Sequence, residues 1–247
     1  MNGGANMSVA VGASSKAAKP VDPTIYPVDE KVGENTLQRA ILELLRPLIE
    51  RWFQHRRVRA FVGADQFIYY VQHAPTERVA PDIYVLPGVR QGTPISVWKT
   101  WERGIVPSFG LEIVSRDWLK DYVEAPERYA AAGIPELVVF DPSPERHADR
   151  VAWQHFRRVR NRPLTCVEVS RSDRIRVPAL GCYLRAIGHG ESTRLRVATG
   201  PRGDELFPTA EEAAIAEKEV AIAARDAAVA RVAELEAKLR KRRLRSR

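Results

Sequence analysis

The sequence lacks the features that mark membrane and secreted proteins. No apolar run approaches the roughly 18–20 residues that a bilayer requires, and the longest candidate, residues 137–140, has the size of a strand. The N-terminus has neither the basic segment nor the sustained apolar segment of a secretory signal. Only two cysteines occur, Cys166 and Cys182, and they form no Cys-x-x-Cys pair. These absences predict a cytoplasmic protein with reduced thiols and no membrane span.

The short motifs of several enzyme classes are also missing. The sequence contains no P-loop, no His-Glu-x-x-His helix, no Gly-x-Ser-x-Gly elbow and no Gly-rich dinucleotide loop. Its five histidines include no i, i+4 pair, so the sequence does not indicate a zinc site. ATPases, zinc peptidases, elbow-type hydrolases and dinucleotide-dependent enzymes are therefore not favoured.

What is present is the composition of a globular protein with a cationic excess. Hydrophobic residues make up 45% of the chain and charged residues 28%, which argues against a disordered chain. Lys and Arg number 39 against 31 for Asp and Glu, which gives a formal net charge of +8. A positive balance of this size favours a polyanionic partner such as nucleic acid.

Composition divides the chain into three parts. Residues 1–33 are rich in Gly, Ala, Ser and Pro and predict a flexible leader. Residues 34–208 predict the folded domain, which begins with an amphipathic helix that continues to Trp52. Residues 209–247 predict a long helix with a basic tail, because residues 209–239 contain neither Pro nor Gly.

The C-terminal part carries two further expectations. Ile215, Ile222 and Val229 recur every seven residues, which is typical of a short coiled coil and predicts a homodimer through this helix, although Lys218 and Arg225 occupy positions where apolar residues are wanted. The basic tail predicts a clamp on nucleic-acid phosphates or, alternatively, a solvated helix end. The candidate phosphate contacts are Arg240, Lys241, Arg242 and Arg243.

The central part predicts an α/β fold with a mixed central sheet flanked by helices. Strands are predicted, in chain order, at residues 61–71, 83–86, 111–114, 137–140, 151–159, 164–169 and 194–199. A helix over residues 120–132, capped by Gly133, joins the third and fourth strands, so those two strands are expected to be parallel. The last three strands are expected to be antiparallel edge strands.

Two acids at strand positions are the candidate chemistry. Glu112 lies within an apolar strand, where a carboxylate is costly unless it is paired or binds a metal. Asp82 follows Pro81 at the start of another strand. A divalent cation such as Mg²⁺ between the two carboxylates would resolve their repulsion and suit phosphodiester hydrolysis. The alternatives are that Glu112 bonds a helix N-terminus and that Asp82 caps a turn.

An ordered series of motifs resembles the Uma family of restriction endonucleases, within the PD-(D/E)XK nuclease superfamily. The resemblance covers roughly residues 34–210. The series runs Val79-Ala80-Pro81-Asp82-Ile83-Tyr84-Val85, Trp98-Lys99, Trp101-Glu102-Arg103-Gly104 with Pro107, Leu111-Glu112-Ile113-Val114-Ser115, Tyr129, Gly133-Ile134-Pro135-Glu136 and Phe140-Asp141-Pro142. The resemblance implies a restriction-endonuclease-like core that cleaves DNA.

The resemblance also implies roles for individual residues. Asp82 and Glu112 would hold Mg²⁺, or alternatively Mn²⁺, with the backbone carbonyl of Ile113 as a further ligand. The family's usual lysine lies four residues before the tyrosine that is Tyr129 here, and this chain has Ala125 at that position. Lys120, on the same predicted helix, would replace it as the catalytic cation.

Alternatives to these roles remain open. Lys99 is a second candidate for the missing cation, and Lys120 is equally suited to an exposed ion pair with Asp117 or Glu124. If no lysine substitutes, the chain is a degenerate nuclease fold that binds DNA or a protein partner. Glu168-Val169-Ser170-Arg171 partly echoes the motif at Glu112, but no Pro-Asp strand precedes it, so it is assigned to an edge strand.

Overall fold

The computed structural model describes residues 22–28, 36–115, 118, 120–146, 148–160 and 162–245, with side chains up to residue 241. Four α-helices occur in these ranges: α1 Thr36–His55, α2 Thr100–Arg103, α3 Ala125–Ala131 and α4 Ala210–Arg245. A π-helical turn, Lys120–Glu124, leads directly into α3. The predicted α/β class and the long C-terminal helix are both confirmed.

Thirteen strands are formed by the described residues. In chain order they are β1 Ala60–Gly63, β2 Ile68–Tyr69, β3 Arg78–Val79, β4 Ile83–Pro87, β5 Trp98–Lys99, β6 Phe109–Ile113, β7 Glu136–Phe140, β8 Trp153–Arg158, β9 Leu164–Ser170, β10 Arg174–Val177, β11 Cys182–Ile187, β12 Arg194–Thr199 and β13 Glu205–Leu206. They form three sheets rather than one.

The largest sheet is mixed and has the order β1-β4-β6-β7-β8-β9. Strands β6 and β7 are parallel, as predicted from the helix between them, and the other neighbouring pairs are antiparallel. The helix ends as expected at Gly133, which has a φ of +78° and donates to Ala130, while Ile134 donates to the carbonyl of Tyr129. These two hydrogen bonds end the helix and turn the chain sharply from α3 into β7.

Alternation along the strands gives the central sheet two apolar faces. Leu111, Ile113 and Val138 pack in one core with α1 and a second, four-stranded sheet, β10-β11-β12-β13. Leu137 and Val139 pack on the opposite face with α3 and a small sheet of order β3-β2-β5. The period of two along β6 directs Glu112 to the α3 face, while its neighbours point to the α1 face.

Two strand predictions are wrong. Residues 61–71 do not form one strand, because Asp65 has a φ of +56° and the chain leaves the central sheet after Gly63 to enter the small sheet at Ile68. Residues 194–199 are not an edge strand of the central sheet, since β12 lies between β11 and β13 in the second sheet. Both faces of β12 are buried: Leu195 and Val197 pack in the core with α1, and on the other face Arg196 donates to the carboxylate of Glu212 and to the carbonyl of Phe207.

The N-terminal segment is partly described. Tyr26 packs edge-on to Tyr69 at 4.9 Å between ring centroids, and the ammonium of Lys99 lies 4.1 Å from the centroid of the Tyr26 ring. The backbone carbonyl of Pro27 accepts a hydrogen bond from the hydroxyl of Tyr69 at 2.6 Å. Residues 22–28 therefore lie against β2 and β5, whereas residues 1–21, the rest of the expected leader before this segment, lie outside the described ranges.

Neither cysteine is in a disulfide: Cys166 is exposed on β9, and Cys182 is buried. Among the helices of the described ranges, none has the length and apolarity needed to cross a bilayer.

Candidate active site

Asp82 and Glu112 face each other across two antiparallel strands. Strands β4 and β6 pair with Ile83 opposite Leu111, so the same register continued by one residue sets Asp82 opposite Glu112. Side chains directly opposite each other on an antiparallel pair share one face, with Cβ atoms about 5 Å apart. The structure thus brings together the two acids that the sequence analysis proposed as metal ligands.

Asp82 is buried and is held by two donors. Its Oδ2 accepts the backbone N–H of Ile113 at 2.5 Å, and its Oδ1 accepts from Nε2 of Gln38 at 2.7 Å. Burial raises the pKa of Asp82 to about 7, with further contributions from the negative charges of Asp65 and Asp121, while the two donors oppose that rise. The carboxyl group is therefore fixed in position but costly to ionise.

Glu112 is half-buried, and its carboxyl accepts a hydrogen bond from the hydroxyl of Tyr129 at 2.5 Å. Burial raises the pKa of Glu112 well above its ordinary value, and the charges of Asp82 and Asp121 add to the effect. Tyr129 and Lys120 act in the opposite direction. A buried carboxyl group whose pKa is raised further by neighbouring carboxylates forms part of a site that favours a cation.

Tyr129 reaches Glu112 because β6 has a glycine beneath its ring. A Cβ atom at Gly110 would collide with the ring of Tyr129, which is itself fully buried between α3 and the sheet. Gly110 therefore allows the close approach that joins the helix to the acid on the strand.

The backbone ladder opens beside the two acids. The β4–β6 pairing ends with Ile83 opposite Leu111. Beyond this pair, the carbonyl of Pro81 accepts from the N–H of Asp65, which follows β1, at 3.0 Å, and the N–H of Ile113 donates to the side chain of Asp82. Because the N–H and C=O of one strand residue point to the same side, the carbonyl of Ile113 also faces Asp82.

Lys120 and Lys99 lie in different surroundings. Lys120 is exposed on the π-helical turn, and its positive charge lowers the pKa of Glu112, so it lies within electrostatic range of the site. The ammonium of Lys99 lies 3.4 Å from the carboxylate of Glu102 and over the ring of Tyr26, so these two contacts hold Lys99 at the small sheet. Of the alternative partners for Lys120, Glu124 is exposed on the same turn, and Asp117 lies outside the described residues.

Ala125 is buried at the start of α3, one turn before Tyr129. Residues four apart share a face of a helix, so Ala125 lies on the same side of α3 as the hydroxyl that bonds Glu112. A lysine at this position would point along that face, but the chain supplies only a methyl group there.

The π-helical turn is fixed by a second buried network. The guanidinium of Arg150 donates to both carboxylate oxygens of Asp141, at 2.5 and 2.6 Å, and the hydroxyl of Tyr122 donates to the same carboxylate at 3.0 Å. Asp121, which directly precedes Tyr122 in the turn, accepts a hydrogen bond from the backbone N–H of Ser115 at 2.9 Å. The turn is thereby tied to the ends of both β6 and β7.

Gln38, Asp65 and Asp121 belong to the site, although sequence reasoning gave none of them a role in metal binding. Gln38 is separated from Asp82 by 44 positions and carries no local signal, and Asp65 lies inside the segment that was predicted to be one strand. Within the described residues, no three or more His, Cys, Asp or Glu side chains form a group that could hold a metal ion. A metal here would need backbone, water or substrate oxygens besides the two carboxylates.

The candidate nucleic-acid contacts lie far along α4 from this site. Arg240 and Lys241 are exposed on the helix. Arg242 and Arg243 continue the helical backbone, and their side chains lie outside the described part of the chain.

Comparison with known proteins gives one family match. No curated protein is significantly similar to the chain. A crystal structure of a putative nuclease from Anabaena variabilis is similar at 15% sequence identity and a TM-score of 0.43, over 62% of this chain and 78% of that one. Residues 28–181 match the model of the Uma2 family, described as putative restriction endonuclease. This match covers more than half of the 247 residues, and the chain therefore belongs to the Uma2 family.

Proposed function

We propose that the chain is a divalent-metal-dependent endonuclease that hydrolyses phosphodiester bonds in DNA. The observation that supports this most directly is the pair of carboxyl groups, Asp82 and Glu112, opposed on one face of β4 and β6. Membership of the Uma2 family supports nuclease-like chemistry, and the opposed acids supply the residue types that such chemistry uses.

The two carboxyl groups suit Mg²⁺ or Mn²⁺. Both ions prefer oxygen ligands, and Mg²⁺ usually binds one or two carboxylates while retaining water and substrate phosphate oxygens. The carbonyl of Ile113 would be a further protein ligand, because the N–H of the same residue donates to Asp82 and both groups point to that side of β6. A cation at this position would offset the burial and the neighbouring negative charges that raise the pKa values of Asp82 and Glu112.

When bound, the ion would supply Lewis acidity to the phosphate and lower the pKa of a bound water. The chain's own residues hold the two acids in place. Tyr129 fixes the orientation of Glu112, and Gln38 together with the N–H of Ile113 fixes Asp82. Lys120 places a positive charge near Glu112, where it would stabilise negative charge developing on the phosphate.

We assign the backbone of DNA as the partner of the basic tail. Each Lys or Arg that neutralises a phosphate releases a counterion, so Arg240, Lys241, Arg242 and Arg243 would give binding that weakens as salt is added. Arg240 and Lys241 are exposed on α4, so their side chains are accessible to such contacts.

Plasmid nicking in Mg²⁺ or Mn²⁺ tests the proposal. Wild type is expected to convert supercoiled plasmid to nicked circles, and Glu112→Gln to lose this activity while keeping the thermal stability of the fold. Glu168→Gln is the matched control, because Glu168 lies in the similar local sequence on β9 but is exposed and remote from Asp82. Equal nicking by wild type and Glu112→Gln would overturn the assignment of Glu112.

A catalytically silent DNA-binding protein is the second candidate, favoured by the buried methyl group of Ala125 where the family's lysine is expected. This candidate predicts no nicking by wild type but salt-sensitive retention of DNA. It also predicts that Ala125→Lys, which adds a cation on the face of Tyr129, restores nicking that Glu112→Gln again removes. Nicking by wild type would reject this second candidate.

A further inference from the structure

Helix α4 exposes a line of apolar side chains along its length. Every residue from 214 to 241 is exposed, and the helix of 36 residues extends about 54 Å at 1.5 Å per residue. Five large apolar residues on this line have exposed fractions between 41 and 63%: Ile215, Ile222, Val229, Val232 and Leu239. Exposed apolar side chains along one line of a helix form a surface for a partner.

These residues fall on the two core positions of a heptad repeat. With Ile215 as position a, the a positions are Ile215, Ile222, Val229 and Glu236, and the d positions are Lys218, Arg225, Val232 and Leu239. Three of the eight core positions are therefore charged, and their signs decide which pairing is stable.

A parallel pair of α4 helices would set each core residue against itself. Glu236 would oppose Glu236, Lys218 would oppose Lys218 and Arg225 would oppose Arg225. Three layers of like charge in a water-poor seam are strongly unfavourable, and the chain offers no compensation within those layers.

An antiparallel pair sets a positions against d positions and removes the conflict. In one register, Ile215 meets the partner's Leu239, Ile222 meets the partner's Val232, and Lys218 meets the partner's Glu236. Val229 packs on the aliphatic stem of the partner's Arg225, whose guanidinium reaches water. A single antiparallel alignment of the two helices produces all four pairs, because the two residue numbers in every pair add up to the same value.

The charge along α4 is complementary in the same sense. Its first half carries Glu211, Glu212, Glu217 and Glu219, and its end carries Lys238, Arg240 and Lys241. Antiparallel pairing brings the acidic half of one helix beside the basic end of the other. We propose that two copies of the chain associate through α4 as an antiparallel helix pair, with Lys218 and Glu236 as the layer that sets its direction.

Charge reversal in the full-length chain tests this arrangement by sedimentation velocity. By symmetry the Lys218–Glu236 layer occurs twice in the dimer, so Lys218→Glu alone and Glu236→Lys alone each create two like-charge layers. Each is expected to weaken dimerisation by about tenfold or more, and the double variant is expected to restore it. Helix content by circular dichroism controls for loss of α4 itself.

A parallel dimer gives a different result, because each single reversal would replace one like-charge layer by another and leave the affinity unchanged. Such a result, or a wild type that remains monomeric at its highest soluble concentration, would overturn the proposal. Disulfide formation gives a second readout in a Cys166→Ser background, which removes the exposed native thiol. Ile215→Cys mixed with Leu239→Cys should cross-link efficiently, and each variant alone should not. None of these measurements depends on nuclease activity.

Discussion

The hydroxyl of Tyr129 donates a hydrogen bond to Oε1 of Glu112 at 2.5 Å, and this contact joins helix α3 to the strand that carries the acid. It stabilises the ionised carboxylate, since it lowers the pKa of Glu112 against the larger effect of burial. The contact depends on Gly110, which leaves room for the tyrosine ring. Orientation of the acid and charge of the acid are thus controlled by one side chain.

Tyr129→Phe is therefore expected to weaken metal binding while keeping the ring packed. Loss of a hydrogen bond to a metal ligand typically costs about 10- to 100-fold in metal affinity. The measurement is nicking rate against Mg²⁺ concentration, in which the half-saturating concentration should rise. Tyr70→Phe is the matched control, because its hydroxyl donates to Glu77 rather than to Glu112. An unchanged Mg²⁺ requirement in Tyr129→Phe would contradict the proposed role of Glu112.

Lys120→Gln is expected to slow cleavage at saturating Mg²⁺ by about 10²-fold or more. The variant removes the positive charge that is proposed to stabilise the negative charge developing on the phosphate. Lys99→Gln should leave the rate unchanged, since Lys99 is engaged with Tyr26 and Glu102. The comparison uses single-turnover rates with both variants folded. The reverse ranking would transfer the role to Lys99.

The raised pKa of Asp82 predicts a stability that depends on pH and metal. Its pKa is 3.8 ordinarily and about 7 in the folded chain, so between these values the folded state holds a proton that the unfolded state has lost. Metal-free stability therefore falls as pH rises from about 4 to 7, and the raised pKa of Glu112 acts with the same sign.

Asp82→Asn removes the contribution of Asp82 to this slope. The variant should melt a few degrees higher than wild type at pH 8 without metal, and the difference should shrink toward pH 4. Adding Mg²⁺ at pH 8 should raise the melting temperature of wild type but not of the variant. A variant that is less stable than wild type at pH 8 would show that ionised Asp82 is stabilised by partners other than a metal.

Removal of residues 240–247 is expected to reduce DNA affinity and flatten its salt dependence. Each lost phosphate contact reduces the slope of log K against log salt by about 0.9. Fluorescence anisotropy with a DNA duplex measures this slope in metal-free buffer, so that cleavage does not interfere. An identical slope in the truncated chain would place the DNA contacts on the folded domain.

The sequence was sufficient to predict α1, α4, the parallel pairing of β6 with β7 and the glycine that ends α3. These features depend on periodicity and on local conformational preference, which neighbouring residues largely determine. Asp82 and Glu112 were also selected as candidate ligands, Glu112 because an acid in an apolar strand is conspicuous. Their closeness depends on the pairing of β4 with β6, which the structure supplies.

The features that sequence reasoning missed depend on contacts between distant segments. Gln38 reaches Asp82 only because α1 packs across the sheet, and Asp65 lies near it only because the chain bends with a positive φ after β1. In the second sheet only residues 194–199 were predicted to form a strand, and their alternating sequence was assigned to an edge of the central sheet. The π-helical turn has no local signature, and buried bonds from Tyr122 and Asp121 hold it in place.

The end of the β4–β6 pairing separates the site from the regular part of the sheet. The pairing ends with Ile83 opposite Leu111, and two residues further along β6 the N–H of Ile113 donates to the side chain of Asp82 rather than to a backbone carbonyl. Protection of the Ile113 amide from hydrogen exchange therefore depends on Asp82 staying in place, whereas protection of the Leu111 amide depends on the sheet itself. Exchange at these two amides would thus separate an opening of the site from an opening of the fold.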